Sequence, residues 1–250
     1  MPRQARKKSK TGIYHIMLRG INQQQIFEDA EDYNRFLDVV KDCKEICEFE
    51  LYAYCLMGNH VHLLIHEHKE SIEQIVKRIG SRFVYWYNVK YQRKGHLFQD
   101  RFKSEPVEDQ RYFSTVLVYI HQNPLKAGLC EKPGEYPYSS YNEYVKIPYV
   151  VDTSFVFGYW DLTRFVEYHD QTIFDKCLDI EESASTIRVT DEQAKAIIQK
   201  ISKCTNVAEF QALDIPKRDN CLRALRERGL SIRQISRLTG TSFNIVRKFS

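Results

Sequence analysis

The sequence lacks the signatures of several large functional classes. Its longest apolar runs are far shorter than the roughly twenty residues that a membrane-spanning helix needs. The charged start, MPRQARKKSKTG, is not followed by the apolar region of a secretory signal. Walker-type glycine loops, the GxSxG elbow and the GxGxxG fingerprint are absent, which leaves nucleotide hydrolysis, esterase chemistry and dinucleotide binding without support. We therefore expect a cytoplasmic protein without a membrane partner.

Cysteine spacing gives no support to a zinc or redox motif. The 250-residue chain has seven cysteines, and no two of them form a C-x-x-C pair. Cys43 and Cys47 lie four residues apart in a segment with helical periodicity, which suits packing better than zinc binding. Free thiols in a reducing compartment are the simplest expectation.

The charge is small overall but unevenly distributed. The formal net charge is +4, yet RQARKKSK near the start is basic, residues 146–190 are acid-rich and residues 217–250 are strongly basic. Basic segments at both ends favour a polyanion as the binding partner.

The order of the predicted elements indicates an α+β fold. IYHIMLRG reads as a strand, followed by a helix and by two strands that meet at Gly58 and Asn59. A second helix, an extended segment and a third helix follow. The third helix begins near Asp109 and is expected to end before Pro124, because the residue before a proline disfavours helical geometry.

Three regions are expected. Residues 9–145 form a ferredoxin-like antiparallel sheet with helices on one face. Residues 146–190 are an acidic, aromatic extension that lies on this domain. Residues 191–250 are all helical, and LSIRQISRLTG and TSFNIVRKFS have the lengths of a helix-turn-helix, with Gly240 in the turn and residues 242–249 as the second helix. A plain three-helix bundle is the alternative for this last region.

Histidines are concentrated in the segment CLMGNHVHLLIHEH. His60, His62, His66 and His68 share the even-numbered positions, so a strand would project all four from one face. At about 3.3 Å per residue, His60 and His62 lie about 6.6 Å apart and could converge on one metal ion. His66 would lie roughly 20 Å from His60 by the same rise. We expect His66 and His68 to end the strand in solvent.

A tyrosine and an asparagine in VLVYIHQNPLKAGL complete a candidate site. Tyr119 and Asn123 are four residues apart and fall on one face of a helix. The carbonyl of Asn123 could complete the metal site, while Tyr119 could attack a phosphate that the metal polarises. This set of residues predicts phosphoryl transfer to a tyrosine.

The same residues carry a family resemblance. GNHVHLLI resembles the HUH motif (histidine, hydrophobic, histidine) of single-strand DNA transposases and relaxases, and YIHQNPLKAGL with YPYSSY resembles REP-associated tyrosine transposases. YHIMLRGINQQQIF and GHLFQDRFKS extend the likeness over most of residues 11–145. It implies a nuclease and strand-transferase that cuts single-stranded DNA near a hairpin, forms a 5′-phosphotyrosine and rejoins ends without external energy.

The resemblance also implies roles for individual residues. Tyr119 matches the nucleophile, and His60, His62 and Asn123 would hold Mg²⁺ or Mn²⁺. Asn123 stands where insertion-sequence members usually carry glutamine. Single-stranded or hairpin DNA is the implied partner, and family members are monomers or homodimers.

Some alternatives stay open. His121 could be a ligand or a proton shuttle, and Tyr112 a second nucleophile. Carboxylate spacing alone does not exclude an acidic two-metal nuclease. The competing class is a non-catalytic, sequence-specific DNA-binding regulator, which would bind duplex DNA through the helix-turn-helix and tolerate a chelator.

Basic and aromatic residues supply candidate DNA contacts. The stretch RIGSRFVYWYNVKYQRKGHLFQDRFK could line a single-strand groove, or it could be a solvated helix face over an aromatic core. In the terminal helices, basic residues would contact phosphates, whereas short polar side chains could form hydrogen bonds to base edges. The candidate nucleic-acid-binding residues are Arg19, Arg82, Arg101, Lys103, Arg233, Ser242, Asn244, Arg247 and Lys248.

Overall fold

The computed structural model divides the chain into two compact units, residues 1–180 and 181–250. The described residues are 6–21, 24–99, 101–171, 177–178, 189–204 and 207–249. Among them, no helix is long and apolar enough to cross a membrane. All seven cysteines are free thiols, as their spacing predicted.

The first unit is built on a four-stranded antiparallel sheet. Its strands are β1 (Ile13–Arg19), β2 (Glu50–Met57), β3 (His60–His66) and β4 (Lys103–Pro106). They lie in the order β2-β3-β1-β4, which is that of a ferredoxin-like sheet. Strands β1 to β3 are buried along almost their whole length, because both faces of the sheet are covered. The sheet confirms the predicted α+β fold class.

Three long helices cover this sheet. They are α1 (Ala30–Cys47), α2 (Ile72–Lys90) and α3 (Gln110–Lys126). Leu18 of β1 lines a cavity with residues of α2, whereas His15 packs against Tyr119 of α3. Residues 15 and 18 project from opposite faces of a strand, so α2 and α3 lie on opposite faces of the sheet. The expectation of helices on one face therefore fails for α3, since the chain after β4 crosses to the histidine-bearing face.

Helix α3 continues through Pro124, so the prediction that it ends before this proline was wrong. A proline removes one backbone donor, and here it does so in the last turn, where the cost is a single hydrogen bond. The N–H of Ala127 donates to the carbonyl of Asn123 at 3.0 Å and closes that turn. Asn123 consequently stays on the helical face that carries Tyr119.

Short helices follow α3 within the first unit. They are α4 (Tyr141–Val145), α5 (Ser154–Phe157) and α6 (Leu162–Asp170). The ring of Phe155 stacks on Tyr52 of β2, with the two centroids 4.7 Å apart. Aromatic residues of the predicted extension thus pack into the core of this unit. Most of residues 172–188 lie outside the described part of the chain.

In the described residues of the second unit, all the regular secondary structure is helical. Its helices are α7 (Asp191–Ser202), α8 (Val207–Gln211), α9 (Ile215–Glu227), α10 (Ile232–Thr239) and α11 (Phe243–Val246). They bury an apolar cluster of their own that includes Leu222, Leu225, Ile235 and Val246. This cluster gives the unit its own hydrophobic core.

Helices α10 and α11 occupy the segments predicted as a helix-turn-helix. Gly240 ends α10 with a φ of +68°, a left-handed conformation that glycine adopts without steric cost. The second helix is shorter than the predicted 242–249. Only four residues are α-helical, and a 3-10 turn at Arg247–Phe249 follows, as is common at helix ends.

Candidate active site

His60 and His62 lie at the start of β3, on the face that α3 covers. Their ring centroids are 5.0 Å apart, and both side chains are buried. Nδ1 of His60 donates to the amide oxygen of Asn59 at 2.7 Å. This bond favours the tautomer in which Nε2 of His60 keeps its lone pair, the form that can bind a metal ion.

His62 is held by a third histidine, His15 of β1. Nδ1 of His62 lies 2.9 Å from Nε2 of His15, and both rings are fully buried. Burial lowers the pKa of His15 to about 3, and burial together with neighbouring positive charges holds the pKa of His62 well below its usual range. Both rings are therefore neutral near pH 7.

In a neutral imidazole one nitrogen donates and the other accepts. When Nδ1 of His62 donates to His15, Nε2 of His62 carries the lone pair. That atom is buried and has no hydrogen-bond partner among the described residues. A buried polar atom in this state fits a role in metal binding.

Sequence reasoning missed His15. It stands at an odd position of β1, and its contact with His62 depends on the pairing of β1 with β3 across 47 residues of chain. Strand periodicity shows which face of its own strand each ring projects from. It does not give the register between two distant strands, which decides whether the two rings meet.

Helix α3 places Tyr119 against the histidines. Its ring centroid lies 5.8 Å from that of His62 and 5.9 Å from that of His15, and the residue is 3% exposed. Nζ of Lys126 lies 4.1 Å from the centroid of the Tyr119 ring. A positive charge this close to the ring stabilises negative charge that develops on the phenol oxygen of a nucleophilic tyrosine. Sequence reasoning had assigned no role to Lys126.

Asn123 follows Tyr119 by one helical turn and is also buried. Its Nδ2 has no hydrogen-bond partner in the described part of the chain. The two ends of an amide differ little in shape, and a rotated side chain would present the carbonyl oxygen at that position. Two imidazoles and an amide oxygen are thus available as ligands for a divalent cation.

His121 belongs to a separate network. Its Nδ1 lies 2.7 Å from Nε2 of His169, and its Nε2 lies 2.7 Å from Oγ of Ser140. Nδ1 of His169 donates to the carbonyl of Phe165, so Nε2 of His169 accepts the proton of His121. Both nitrogens of His121 are engaged, which argues against a role as metal ligand or proton shuttle.

Two of the four candidate DNA-binding residues in the first unit lie on the face of the site. Arg19 is directly opposite His60 in the β1–β3 pair. Lys103 is opposite Met17, which is itself opposite His62, so these side chains share one face. Arg82 of α2 lines a cavity between α1 and α2, and Arg101 lines another cavity beside α2, so neither is brought to this face.

The remaining candidates lie in the second unit. Arg233 is half-buried near the start of α10. The other four are exposed around α11: Ser242, Asn244, Arg247 and Lys248. Their exposure leaves the predicted DNA contact of this unit open to test.

Comparisons with known proteins give matches to a family model, to a curated relative and to solved structures. Residues 8–123 match the model of a family described as Transposase IS200 like. The chain is 27% identical over 150 residues to a Haemophilus influenzae protein named REP-associated tyrosine transposase, covering 55% of this chain and 84% of that protein. A solved structure of a REP-associated tyrosine transposase bound to a REP hairpin matches with a TM-score of 0.52 at 18% identity, over 61% of this chain and 93% of the other.

These matches confirm the family recognised from the sequence. Residues 8–123 match the IS200-like transposase family, and this match supports an enzyme that acts on DNA. Within that family the chain is similar to REP-associated tyrosine transposases, and the structural match shows a shared fold. The family also suggests a requirement for a divalent metal ion.

Proposed function

We propose that this protein cleaves and rejoins single-stranded DNA through a 5′-phosphotyrosine on Tyr119, near hairpin ends. The observation that carries the proposal is the packing of the Tyr119 ring against the buried pair of His62 and His15. A buried tyrosine at this distance from two neutral imidazoles suits a reaction that joins a phenol oxygen to a phosphate beside a metal ion.

Three side chains would hold Mg²⁺ or Mn²⁺ in this site. They are His60 and His62, each through Nε2, and Asn123 through its amide oxygen. When bound, the cation would act as a Lewis acid on the scissile phosphate. His15 would keep His62 in the tautomer that leaves Nε2 available.

The residues of the chain would then carry out one displacement. The phenol oxygen of Tyr119 forms a bond to phosphorus, and the bond from phosphorus to the 3′ oxygen breaks. The phenol proton passes to solvent and the 3′ oxygen takes up a proton, so a 3′-OH strand end is released. Attack by another 3′-OH on the phosphotyrosine reverses the step and needs no external energy. Lys126 would stabilise negative charge at the tyrosine and the phosphate.

A denaturing gel tests the proposal. Labelled single-stranded hairpin DNAs are incubated with wild type, Tyr119→Phe and Tyr112→Phe, each with Mg²⁺ or with EDTA. Tyr112 is a matched control, since it lies two turns earlier on the same helix. We expect a covalent protein–DNA band that needs metal, vanishes in Tyr119→Phe and persists in Tyr112→Phe.

Two outcomes would contradict the proposal. Persistence of the band in Tyr119→Phe would remove the assigned nucleophile. No band from wild type over a broad hairpin library, together with chelator-resistant binding of duplex DNA, would favour the non-catalytic regulator.

For the second unit we propose contact with duplex DNA. Arg247 and Lys248 are exposed at its end and would neutralise phosphates. In the variant Arg247→Gln/Lys248→Gln, the slope of log K against log salt should become shallower by up to about 1.8, near 0.9 for each phosphate that the variant no longer neutralises. An unchanged slope would remove these residues from the interface.

The setting of the reaction is also a proposal. A cytoplasmic location would keep the seven thiols reduced. The catalytic unit would act as a monomer or homodimer, and sedimentation of the purified protein would distinguish the two.

A further inference from the structure

The end of β3 opposite the candidate active site carries another cluster of metal-ligating side chains. Glu50 of β2 lies directly opposite His66 in the antiparallel pair, and His68 follows two residues later. Oε2 of Glu50 is 3.0 Å from Nδ1 of His66 and 3.1 Å from Nε2 of His68. The three donor atoms all lie within 4.8 Å of one another.

This cluster is separate from the candidate active site. His62 and His66 are four residues apart on one strand, which corresponds to about 13 Å. A metal ion held by one pair of histidines therefore lies beyond the reach of the other. The sequence placed His66 and His68 in solvent, but His66 is half-buried and both rings bond to a carboxylate.

The distances between donor atoms approach those of a coordination sphere. In a tetrahedral zinc site with bonds of about 2.0–2.1 Å, two ligand atoms are about 3.3 Å apart. The two contacts of Glu50 are within a few tenths of an ångström of that value. The rings of His66 and His68 have centroids 4.1 Å apart, and His68 is exposed enough to turn toward a shared ion.

The surroundings of Glu50 also suit a cation. The hydroxyl of Tyr52 donates to Oε2 of Glu50 at 2.7 Å and orients the carboxylate. Within the described residues, the ion-pair partners of Glu50 are His66 and His68, and no lysine or arginine side chain lies within ion-pair distance of it. A carboxylate oriented by a hydroxyl and flanked by imidazoles is a common arrangement around transition metals.

We infer that Glu50, His66 and His68 form a second metal site, suited to Zn²⁺ or a similar transition-metal ion. Two imidazoles and one carboxylate are a ligand set that Zn²⁺ accepts, with water in the fourth position. The bound ion would tie the end of β3 to the start of β2.

Zinc content measures this site directly. Wild type, His68→Ala, Glu50→Gln and His96→Ala are stripped with chelator, dialysed against ZnCl₂ and analysed for bound zinc per chain. His96 is a matched control because it is an exposed histidine outside the cluster. We expect His68→Ala and Glu50→Gln each to bind one zinc ion fewer than wild type, while His96→Ala binds as much as wild type. Thiols that bind zinc contribute equally to every variant. The difference in bound zinc per chain between wild type and a variant therefore reports the zinc held by Glu50, His66 and His68.

Thermal unfolding supplies a second readout. Zinc that binds the folded protein should raise the melting temperature of wild type, and the rise should be smaller in His68→Ala. Equal zinc content and equal zinc-dependent stabilisation in wild type and His68→Ala would overturn the inference and leave ordinary hydrogen bonds between glutamate and histidine. The covalent DNA band in Mg²⁺ is a separate measurement, and we expect His68→Ala to keep it.

Discussion

The two ends of β3 carry the same kind of side chain in different surroundings. At the start of the strand, His62 is fully buried and held by His15. At the other end, His66 and His68 are partly exposed and bond to Glu50. Two histidine pairs in one strand can therefore have different chemistry. Their burial differs, and the side chain that bonds to them is His15 at one end and Glu50 at the other.

The buried end is organised before any ligand arrives. Burial lowers the pKa of both His15 and His62, so the rings are neutral, and their hydrogen bond couples the tautomer of one ring to that of the other. The exposed end has a carboxylate and access to water, which suits an ion that keeps a water ligand. Substitutions at each end can test whether this division of roles is real.

The largest expected effect comes from removing one histidine at each end. His62→Ala should reduce formation of the covalent DNA adduct by at least about 100-fold, because metal catalysis supplies several kcal/mol at about 1.4 kcal/mol per factor of ten. His66→Ala should retain adduct formation. Single-turnover kinetics in Mg²⁺ measure the rate of adduct formation in both variants. An equal fall in rate in His62→Ala and His66→Ala would contradict the assignment of different roles to the two ends of β3.

A smaller effect is expected at His15, which acts as a positioning residue through His62. His15→Ala should weaken Mn²⁺ activation by about 10–100-fold, as for other residues that orient a metal ligand. High Mn²⁺ should restore much of the rate. His15→Gln, whose amide oxygen can accept from His62, should recover part of the metal affinity.

The control for this experiment is the shape of the metal dependence. Loss of rate at saturating Mn²⁺, with the activation constant unchanged, would assign His15 a purely structural role. Direct Mn²⁺ binding, followed by electron paramagnetic resonance without DNA, gives a readout that does not depend on activity.

Lys126 should have a moderate effect on the same chemistry. Lys126→Met removes the charge near the Tyr119 ring and should slow adduct formation by about 2–30-fold, from about 0.5–2 kcal/mol. Lys126→Arg keeps the charge and should lose less. Lys132→Met, at an exposed lysine outside the site, is the control, and an equal loss in that variant would count against a local role.

Much of the site could be predicted from sequence because it depends on local periodicity. The strand period places His60 and His62 on one face, and the spacing of four places Tyr119 and Asn123 together on a helix. His15 depends on the register of two distant strands, which local patterns do not contain. The register of β2 with β3 likewise brings Glu50 to His66.

Errors in the prediction have physical reasons too. Pro124 was expected to stop α3, but a proline in the final turn costs only one hydrogen bond. The role of His121 could not be read from its position between Tyr119 and Asn123. Packing of α6 brings His169 to it and uses its Nδ1 in a structural network.

The last prediction concerns stability rather than activity, and specifically its change with pH. Burial lowers the pKa of His169 to about 4, although its bond to the Phe165 carbonyl opposes the shift. Between about pH 6.5 and 4 the unfolded chain takes up this proton more readily, so the free energy of unfolding falls as pH decreases. The loss from this group is at most about 3–4 kcal/mol, from about 2.5 pKa units at about 1.4 kcal/mol each.

Urea unfolding across this pH range checks the sign. His169→Gln should be less stable than wild type at pH 8 but should lose less stability on acidification. His96→Gln, at an exposed position, should follow wild type. A pH dependence in His169→Gln that equals that of wild type would contradict the assigned proton uptake.

The most direct test of the central claim is the identity of the residue that carries DNA. Covalent complex formed with Mg²⁺ and a hairpin substrate is digested with nuclease and protease, and the modified peptide is sequenced by mass spectrometry. We expect a nucleotide attached to Tyr119 in the peptide that contains YIHQNPLK. Attachment to Tyr112 or to any other residue would contradict it.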